Sequence, residues 1–389
     1  MGENLSRPRA AGTVKVAFHI DQLWFSAPGG IGTYARELAP ALIEQDPRLE
    51  LLPFRSRFPT GGPSSSWLDE LPPVTVVDRP IRMLYPFWNI TGRPALPSAL
   101  AQAEIVHATS PAAIAPARRG QRLVVTVHDL AFMRHPELFP RNWRMLYRAG
   151  LRATARRADA VLVPSTFTAD ELREHSDVDA ARVHVTPLAS SLPTTQATDI
   201  DGVLERLGVP RPYVLSVGTL EPRKNQARLV RAFRHLAAEG RPHALVLNGP
   251  DGWLDDELHH ELAAEGPGRV VRTRDLDAND LDALYRGADV FAYPALYEGF
   301  GLPVVEALAR GVPTVAAEGS SIPEVAGDAA VLVDPLDEQA IADSIARVLD
   351  DRSLADDLRR HGPERAATFS WQETARATLR VYRHVVDRR

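Results

Sequence analysis

Short apolar runs alternate with helical patterns from one end of the chain to the other, in two successive series. Strands that alternate with helices build parallel sheets covered by helices. The first series predicts strands at residues 14–20, 49–54, 74–77, 105–107, 123–127, 160–163 and 183–186, and the second at 213–217, 244–248, 269–273, 289–293, 314–316 and 330–333. The pattern therefore predicts an α/β protein with two similar parallel-sheet domains that face each other.

The length of the chain also favours two domains, because 389 residues exceed one typical hydrophobic core. Residues 187–201 are rich in small, polar and proline residues, which is typical of an interdomain linker. We expect an N-terminal domain over residues 1–190 and a C-terminal domain over residues 191–368. An amphipathic stretch near the C-terminus follows the second sheet and could pack on either domain.

Composition excludes several classes of protein. The chain has no cysteine, so disulfides and thiolate metal sites are excluded. A net charge of −5 argues against a nucleic-acid-binding protein. The first residues lack the apolar core of a signal peptide, and no stretch approaches the ~20 apolar residues of a membrane span. We therefore expect a cytoplasmic protein.

Two glutamates, Glu298 and Glu306, lie on either side of a turn with Gly299 and Gly301 that opens a helix, with Pro303 expected at the first helical position. Backbone N–H groups at a helix start attract phosphate. The carboxylates add acceptors for hydroxyl groups, so the segment suits a nucleotide sugar. Glu306 could instead be an ordinary exposed residue. Its neighbours are apolar, however, and a buried acid needs a partner such as a ribose hydroxyl.

Arg223 and Lys224 follow the first strand of the second series, where open α/β sheets bind ligands. The planar guanidinium and the compact ammonium together suit a diphosphate. The alternative is a solvated turn before a helix that begins near Gln226. Lys224 is one of only two lysines, with Lys15, in an arginine-rich chain, and this favours the functional interpretation.

The glycine-rich segment with Gly30 and Gly32 precedes a helix and resembles a dinucleotide fingerprint. Residues 21–28 separate it from the preceding strand, and no acid ends the next strand, so a nicotinamide site is not expected. The glycines still permit close approach of a ligand at a helix start. His128 ends another strand and could donate to a sugar hydroxyl or to a departing oxygen. It could equally be hydrogen-bonded within its own loop.

Two further segments of the first half have no settled role. Arg144, Arg148 and Arg152 lie along one face of a helix predicted at residues 141–157, which could bind anionic lipid or a phosphorylated acceptor, or could simply be solvated. Residues 55–97 are expected to form loops over the acceptor side. Aromatic residues there could stack on a sugar or pack within the loops, and they are Trp67, Tyr85 and Trp88.

Taken in order, these motifs resemble the family 4 retaining glycosyltransferases of the GT-B fold. The resemblance rests on Gly29–Gly32, His128-Asp129, 163–165, 218–225, the Glu298 to Glu306 unit and 320–324. It implies two Rossmann-like domains around a central cleft, with the sugar donor held mainly by the second. It also implies that residues 369–389 form a helix that crosses back onto the N-terminal domain.

The resemblance assigns a role to each candidate residue. Arg223 and Lys224 would bind the donor diphosphate, Glu306 the ribose and Glu298 the transferred sugar. His128 would contact that sugar from the first domain. Catalytic roles are implied for His128, Glu298, Arg223 and Lys224. The remaining donor-binding residues would be Gly30, Gly32, Phe300, Gly301, Leu302 and Glu306.

The same resemblance implies a reaction that needs no metal or cofactor, with front-face departure and attack within one ion pair. The run that begins at Thr126 looks like that of relatives using GDP-mannose, so a mannosyltransferase is expected. UDP-glucose, UDP-N-acetylglucosamine and dTDP-rhamnose stay open as donors. The acceptor would be a hydroxyl group on a glycan, a lipid-linked glycan or a small molecule. The rival functions are a nucleotide-sugar 2-epimerase and a non-catalytic binding protein.

Overall fold

The computed structural model describes residues 13–25, 28–58, 73–192, 199–253 and 256–387. Its strands are β1 (Lys15–His19), β2 (Glu50–Arg57), β3 (Thr75–Pro80), β4 (Ile105–Ala108), β5 (Arg122–Thr126), β6 (Ala160–Val163), β7 (Val183–Val185), β8 (Tyr213–Val217), β9 (Ala244–Asn248), β10 (Arg269–Thr273), β11 (Val290–Tyr293), β12 (Thr314–Ala317) and β13 (Val331–Val333).

The α-helices of the described residues alternate with these strands. They are α1 (Gly29–Gln45), α2 (Ile81–Thr91), α3 (Ala131–Arg134), α4 (Arg141–Arg157), α5 (Thr166–His175), α6 (Ile200–Leu207), α7 (Gln226–Ala238), α8 (Asp256–Ala263), α9 (Ala278–Arg286), α10 (Leu302–Ala309), α11 (Ile322–Ala326), α12 (Glu338–Asp350), α13 (Arg352–Ala366) and α14 (Trp371–Asp387).

The strands form two sheets, as the alternation of strands and helices predicted. The first has the order β3-β2-β1-β4-β5-β6-β7 and the second the order β10-β9-β8-β11-β12-β13. β1 pairs in parallel with β2 and β4, and β8 pairs in parallel with β9 and β11. In each sheet the first strand of the series therefore lies inside, and the chain order reverses beside it. Ligands of open α/β sheets bind at such a reversal, beyond the carboxyl ends of the strands.

The chain divides into two compact units. The first comprises residues 1–126, 149–162 and 375–389, and the second comprises residues 127–148 and 163–374. Most of α14 therefore belongs to the first unit, where the Tyr382 hydroxyl lies 2.6 Å from Nδ1 of the buried His107. The domain boundaries expected at residues 190 and 368 stay predictions.

Continuous apolar sequence in the inner strands has a simple cause. All five residues of β8 and of β9 are buried, because helices cover both faces of a parallel sheet. The core of the second unit includes Leu229 and Phe233 of α7, packed in one cluster with Ile341 and Ile345 of α12. Burying one such side chain stabilises the folded protein by about 1.5–3 kcal/mol. The ends of these strands are therefore rigid supports for the loops that follow them.

The predicted strands are all present, with the largest shifts at the ends of β2 and β3, and α4 has the predicted bounds. The expectation of loops over residues 55–97 is wrong for its described part, which contains β3 and α2. The proline content suggested loops, yet Pro86 lies inside α2. Buried Leu84, Tyr85 and Trp88 hold that helix in place, and tertiary packing outweighs the poor helix propensity of proline. Trp67 lies outside the described residues.

Candidate functional site

Two loops of the second unit are joined beyond the neighbouring strands β8 and β11. Leu296 N–H donates to the carbonyl of Arg223 over 2.8 Å. The Asn225 side chain donates to the carbonyls of Pro294 and Pro335 over 2.9 and 2.7 Å. Asn225 has φ 60°, a left-handed conformation that asparagine tolerates better than most residues. These bonds fix the short 3-10 turn that carries Arg223 and Lys224 against the loop that carries Glu298.

The joined loops enclose a group of buried charges, called here the charge cluster: Glu221, Arg223, Lys224 and Glu298. Oε1 of Glu298 lies 2.5 Å from Nζ of Lys224 and 2.9 Å from a terminal nitrogen of Arg223. The Tyr293 hydroxyl accepts from Lys224 over 2.7 Å and donates to Glu298 over 2.9 Å. One carboxylate oxygen therefore serves two cations and a hydroxyl. The structure thus brings together three of the four predicted catalytic residues.

The pKa values of the charge cluster follow from this sharing. Burial alone would raise the pKa of Glu298, but Arg223 and Lys224 outweigh it and hold the pKa at about 2. Burial and the charge of Arg223 lower the pKa of Lys224 against the attraction of Glu298. Burial also raises the pKa of Tyr293 well above its usual range, and Glu298 adds to this. Glu298 is therefore an anion at any ordinary pH, and a poor proton acceptor.

Glu221 is the member of the charge cluster that sequence reasoning missed. It is 3% exposed, and its Oε1 lies 2.5 Å from a terminal nitrogen of Arg223. Its other oxygen, Oε2, is buried without a hydrogen-bond partner among the described residues. Burial lowers the pKa of Arg223. The negative charges of Glu221, Glu298 and Asp129 outweigh this effect and raise the pKa well above its usual value. The sequence does indicate this role, because Glu221 immediately precedes Pro222 in the same short loop as Arg223 and Lys224.

The turn before α10 is built for close packing. A Cβ on Gly299 would lie 1.8 Å from the carbonyl oxygen of His128, so only glycine fits. The Gly299 carbonyl accepts from the Ser165 hydroxyl over 2.7 Å and from that of Thr168 over 3.2 Å. Gly301 caps the helix with φ 98°, again a position that favours glycine.

The predicted helix start is present, one residue earlier than expected. Leu302 is the first helical residue and Pro303 the second. Phe300 is buried, with its ring edge-on to that of Phe369 at 5.4 Å between centroids. Its ring is therefore packed inside the second unit, while Gly301 and Leu302 present backbone at the start of α10.

Glu306 is buried, as its apolar neighbours predicted. The hydroxyl of Tyr285 donates to its Oε2 over 2.9 Å, and that of Ser191 lies 3.4 Å from its Oε1. Burial and the neighbouring Glu306 raise the pKa of Tyr285 well above its usual range. A hydroxyl is therefore already the partner of this carboxylate, and the 3.4 Å contact is a long one.

The other candidates divide between the two units. His128 was expected to act from the first domain, but it belongs to the second unit, because its backbone packs against Gly299; its side chain is half-buried. Gly30 and Gly32 belong to the first unit, at the start of α1. A Cβ on Gly32 would lie 2.4 Å from Cβ of Pro28, so this glycine has a packing reason of its own. The roles of the two glycines in donor binding stay predictions.

One group of possible metal ligands occurs among the described residues, at the end of α5: Glu171, Glu174 and His175. Arg134 already lies there, with Nε 3.3 Å from Glu171 and a terminal nitrogen 2.9 Å from Nε2 of His175. The guanidinium already supplies the positive charge that a metal ion would otherwise bring to these groups. The group is therefore explained as an ion-pair network.

The sequence matches two family models. One is described as "Glycosyltransferase Family 4" and covers residues 28–189, and the other as "Glycosyl transferases group 1" and covers residues 205–365. The second match contains the whole charge cluster and Glu306. The first contains Gly30, Gly32 and His128.

Among similar proteins is an O-antigen chain mannosyltransferase B of Escherichia coli, 35% identical over 272 residues that make up 68% of this chain and 71% of that protein. A serotype-specific mannosyltransferase WbdA of the same species is 30% identical over 276 residues. This match covers 68% of the chain but 34% of WbdA, so the chain spans about a third of that relative.

The fold is shared with solved structures. Sucrose-phosphate synthase of Thermosynechococcus elongatus superposes with a TM-score of 0.73 at 21% identity, covering 97% of this chain and 100% of that one. At this identity the match supports the architecture of two Rossmann-like domains and no more.

Proposed function

Since the chain belongs to glycosyltransferase family 4, we propose that it transfers a hexose, in the first place mannose from GDP-mannose, to a hydroxyl group of its acceptor. The observation that carries this proposal is the charge cluster, in which two cations meet one carboxylate at the carboxyl ends of β8 and β11. Such an arrangement suits a donor that has a diphosphate beside a sugar.

The diphosphate would bind Arg223 and Lys224. Both side chains are nearly buried, with 13% and 10% exposed, and attraction between charges is stronger there than in water. In the free protein Glu298 offsets part of their charge. A bound diphosphate would take over the remaining hydrogen-bonding capacity of both cations. The backbone at Gly301 and Leu302, where α10 begins, would add a partial positive charge.

The two glutamates would bind hydroxyl groups. Glu298 remains ionised because its pKa is about 2, so it can accept hydrogen bonds from the transferred sugar but is unsuited to remove a proton. Glu306 already accepts from the Tyr285 hydroxyl, and a ribose hydroxyl would add to or replace the weak Ser191 contact. His128 would donate to the sugar from the loop beside Gly299.

The reaction would proceed with retention of anomeric configuration and without a protein nucleophile. As the bond to the sugar breaks, negative charge grows on the leaving diphosphate. Arg223, Lys224 and the start of α10 would stabilise that charge, and preorganised donors of this kind contribute about 3–4 kcal/mol each. The acceptor hydroxyl would form its new bond on the face of the sugar that the diphosphate leaves, and its proton would pass to the departing phosphate oxygen. This scheme therefore needs no metal, cofactor or general base.

Mannose is proposed because of the similarity to the O-antigen chain mannosyltransferase. By the same argument the acceptor would be a growing glycan, which can be lipid-linked. Membrane contact through Arg144, Arg148 and Arg152 of α4 is part of the same proposal, and Arg148 and Arg152 are exposed. A cytoplasmic location stays a prediction.

A panel of nucleotide sugars tests the proposal. The purified protein is incubated with GDP-mannose, UDP-glucose, UDP-N-acetylglucosamine and dTDP-rhamnose, with and without a chelator, and the released nucleotide is measured. We expect release from GDP-mannose that the chelator does not change, and a product with the anomeric configuration of the donor.

The other outcomes separate the alternatives. Release of UDP alone would contradict the choice of mannose and leave the transferase assignment in place. An isomerised donor without net nucleotide release would identify an epimerase. Donor binding without turnover for any member of the panel would support a non-catalytic binding protein. Strong inhibition by the chelator would overturn the metal-free scheme.

A further inference from the structure

Helix α2 has an apolar stripe on its exposed side. Met83, Phe87 and Ile90 are 48%, 54% and 70% exposed, and their spacing places them along one face of the helix. We call these three residues the α2 stripe. The opposite face is buried through Leu84 and Trp88, which are 1% and 0% exposed. A helix that already has a buried face leaves the α2 stripe without a structural reason to be apolar.

Contacts within the first unit fix α2 in this orientation. The Asn89 side chain donates to the carbonyl of Ala112 and accepts from the N–H of Ile114, both over 2.9 Å. The Tyr85 hydroxyl donates to Asp21 over 2.9 Å. Because buried polar bonds hold the inner face, the helix cannot turn the α2 stripe inward without breaking them.

The surroundings of the α2 stripe are basic. Residues 79–100 contain Arg79, Arg82 and Arg93 and no acid, and all three arginines are exposed. The preceding acid, Asp78, is paired with Arg57 at 3.0 Å. An apolar stripe flanked by arginines is complementary to an anionic lipid surface, where side chains enter the acyl boundary and guanidinium groups meet phosphate.

A neighbouring helix adds to this charge. A Cβ on Gly150 of α4 would lie 3.1 Å from Nδ2 of Asn89, so this half of α4 packs beside α2 within the first unit. Arg152 and Arg156, on the same half of α4, are exposed. The basic surface therefore extends beyond α2 itself.

We propose that α2 docks the first unit onto an anionic lipid surface, with the α2 stripe inserted and Arg79, Arg82 and Arg93 on the headgroup phosphates. No helix of the described residues is long and apolar enough to cross a bilayer, so this would be surface docking. A second copy of the chain is a poorer partner. A two-fold interface would bring the same arginines of both copies together, whereas anionic lipid neutralises them.

Vesicle flotation tests the apolar part of the proposal. The variant Phe87→Ser/Ile90→Ser is compared with the wild type on two kinds of vesicle. One contains phosphatidylcholine alone, and the other also contains about 30 mol% of the anionic lipid phosphatidylglycerol. We expect at least about tenfold weaker partition of the variant, because two large apolar side chains no longer insert. Leu336→Ser, a matched control at a leucine 65% exposed in the second unit, is expected to float like the wild type.

Charge reversal tests the electrostatic part. Arg82→Glu/Arg93→Glu is expected to weaken binding to the anionic vesicles by more than about tenfold, since each arginine near the surface contributes about 1 kcal/mol, or roughly fivefold. Arg352→Glu is the control, because its side chain is 94% exposed on α13. Thermal unfolding and donor turnover, both measured without vesicles, are expected to stay unchanged in every variant.

Three results would overturn the proposal. The wild type could fail to float with anionic vesicles. The α2 variants could float like the wild type while Arg148→Glu/Arg152→Glu does not, which would move docking to α4. Light scattering could show a dimer that Phe87→Ser/Ile90→Ser disperses, with no vesicle binding by the wild type. Each result is independent of which sugar is transferred.

Discussion

Each unit buries a carboxylate just beyond an inner strand of its sheet, but the partners of the two carboxylates differ. Asp21 follows β1 and accepts from the backbone N–H and the hydroxyl of Ser56, both over 2.5 Å, and from Tyr85 over 2.9 Å. Nε2 of His19 lies 3.1 Å away. Glu298 follows β11 and meets Arg223 and Lys224 instead.

The difference decides what each site can do. Asp21 is held by buried hydroxyl and backbone donors and lies beside the buried His19, so we expect this network to serve stability. Glu298 is shared by two cations, and in the proposed scheme either cation would exchange part of that contact for an incoming phosphate. A buried carboxylate beyond β1 therefore belongs to a network of hydroxyl and backbone groups, whereas the one beyond β11 meets two cations in the proposed anion site. Four experiments test this difference between the two carboxylates.

The largest effect is expected at Lys224. Lys224→Ala removes one of the two cations proposed to stabilise the leaving diphosphate, and turnover should fall at least about a hundredfold while the protein stays folded. The control is the other lysine. Lys15→Ala, at an ion pair with Glu50 in the first unit, should retain full activity. Near-normal turnover by Lys224→Ala would remove the charge cluster from the mechanism.

Low pH should remove the stabilisation that ionised Glu298 gives the folded protein. Its pKa is about 2 in the folded protein against 4.5 ordinarily, so its stabilisation is complete above pH 4.5 and is lost as the pH falls from there towards 2. The loss is about 3 kcal/mol of unfolding free energy. It is measured as the difference between wild type and Glu298→Gln in denaturant unfolding from pH 3 to 6. A difference that does not shrink below pH 4.5 would contradict the shared ion pairs.

Asp21 should affect stability alone. Asp21→Asn keeps the size of the side chain but mismatches the hydroxyl donors of Ser56 and Tyr85, and the unfolding free energy should fall by about 2 kcal/mol. The Michaelis constant for the donor should stay within about twofold of the wild type. Asp78→Asn, at an exposed pair, provides the control. A larger change in donor affinity for Asp21→Asn would mean that the first-unit network also takes part in binding.

The smallest effect is expected at Glu221, which positions Arg223 without contacting the donor in the proposed scheme. Glu221→Gln removes the charge that holds the guanidinium, and kcat/KM for the donor should fall about tenfold, with most of the change in KM. Glu257→Gln, at an exposed acid near the same loop, should be silent. If kcat falls and KM does not rise, Glu221 acts on the transition state, and the proposed positioning role is wrong.

Much of the candidate site could be predicted because it depends on local sequence and one rule of topology. Strands at residues 213–217 and 289–293 were readable from their apolar runs, and parallel strands gather their carboxyl ends at one edge. That rule was enough to expect Arg223, Lys224 and Glu298 near a common ligand. Glu221, Tyr285 and Tyr293 were not predicted, because their roles depend on which side chains meet after the strands are in order.

The expectations that failed or stayed open also depend on contacts between distant parts of the chain. Pro86 and the other prolines of residues 55–97 suggested loops, since propensity alone disfavours a helix there. The inner face of α2 finds buried partners that lie far away in the chain, and those contacts outweigh the local preference. The sequence permits two interpretations of His128, because its place beside Gly299 depends on a contact between distant segments.

The two α/β series, the positions of their strands, and the glycine and cationic loops suited to a diphosphate follow from local sequence, because hydrophobic period and turn residues act over a few positions. The tertiary structure makes Glu298 a shared counter-ion of Lys224, 74 positions earlier in the chain, and brings Asp21 to the buried hydroxyls of Ser56 and Tyr85. It also decided that the α2 stripe faces outward. Electrostatic and packing energies depend on distance in space, and only the folded chain sets those distances.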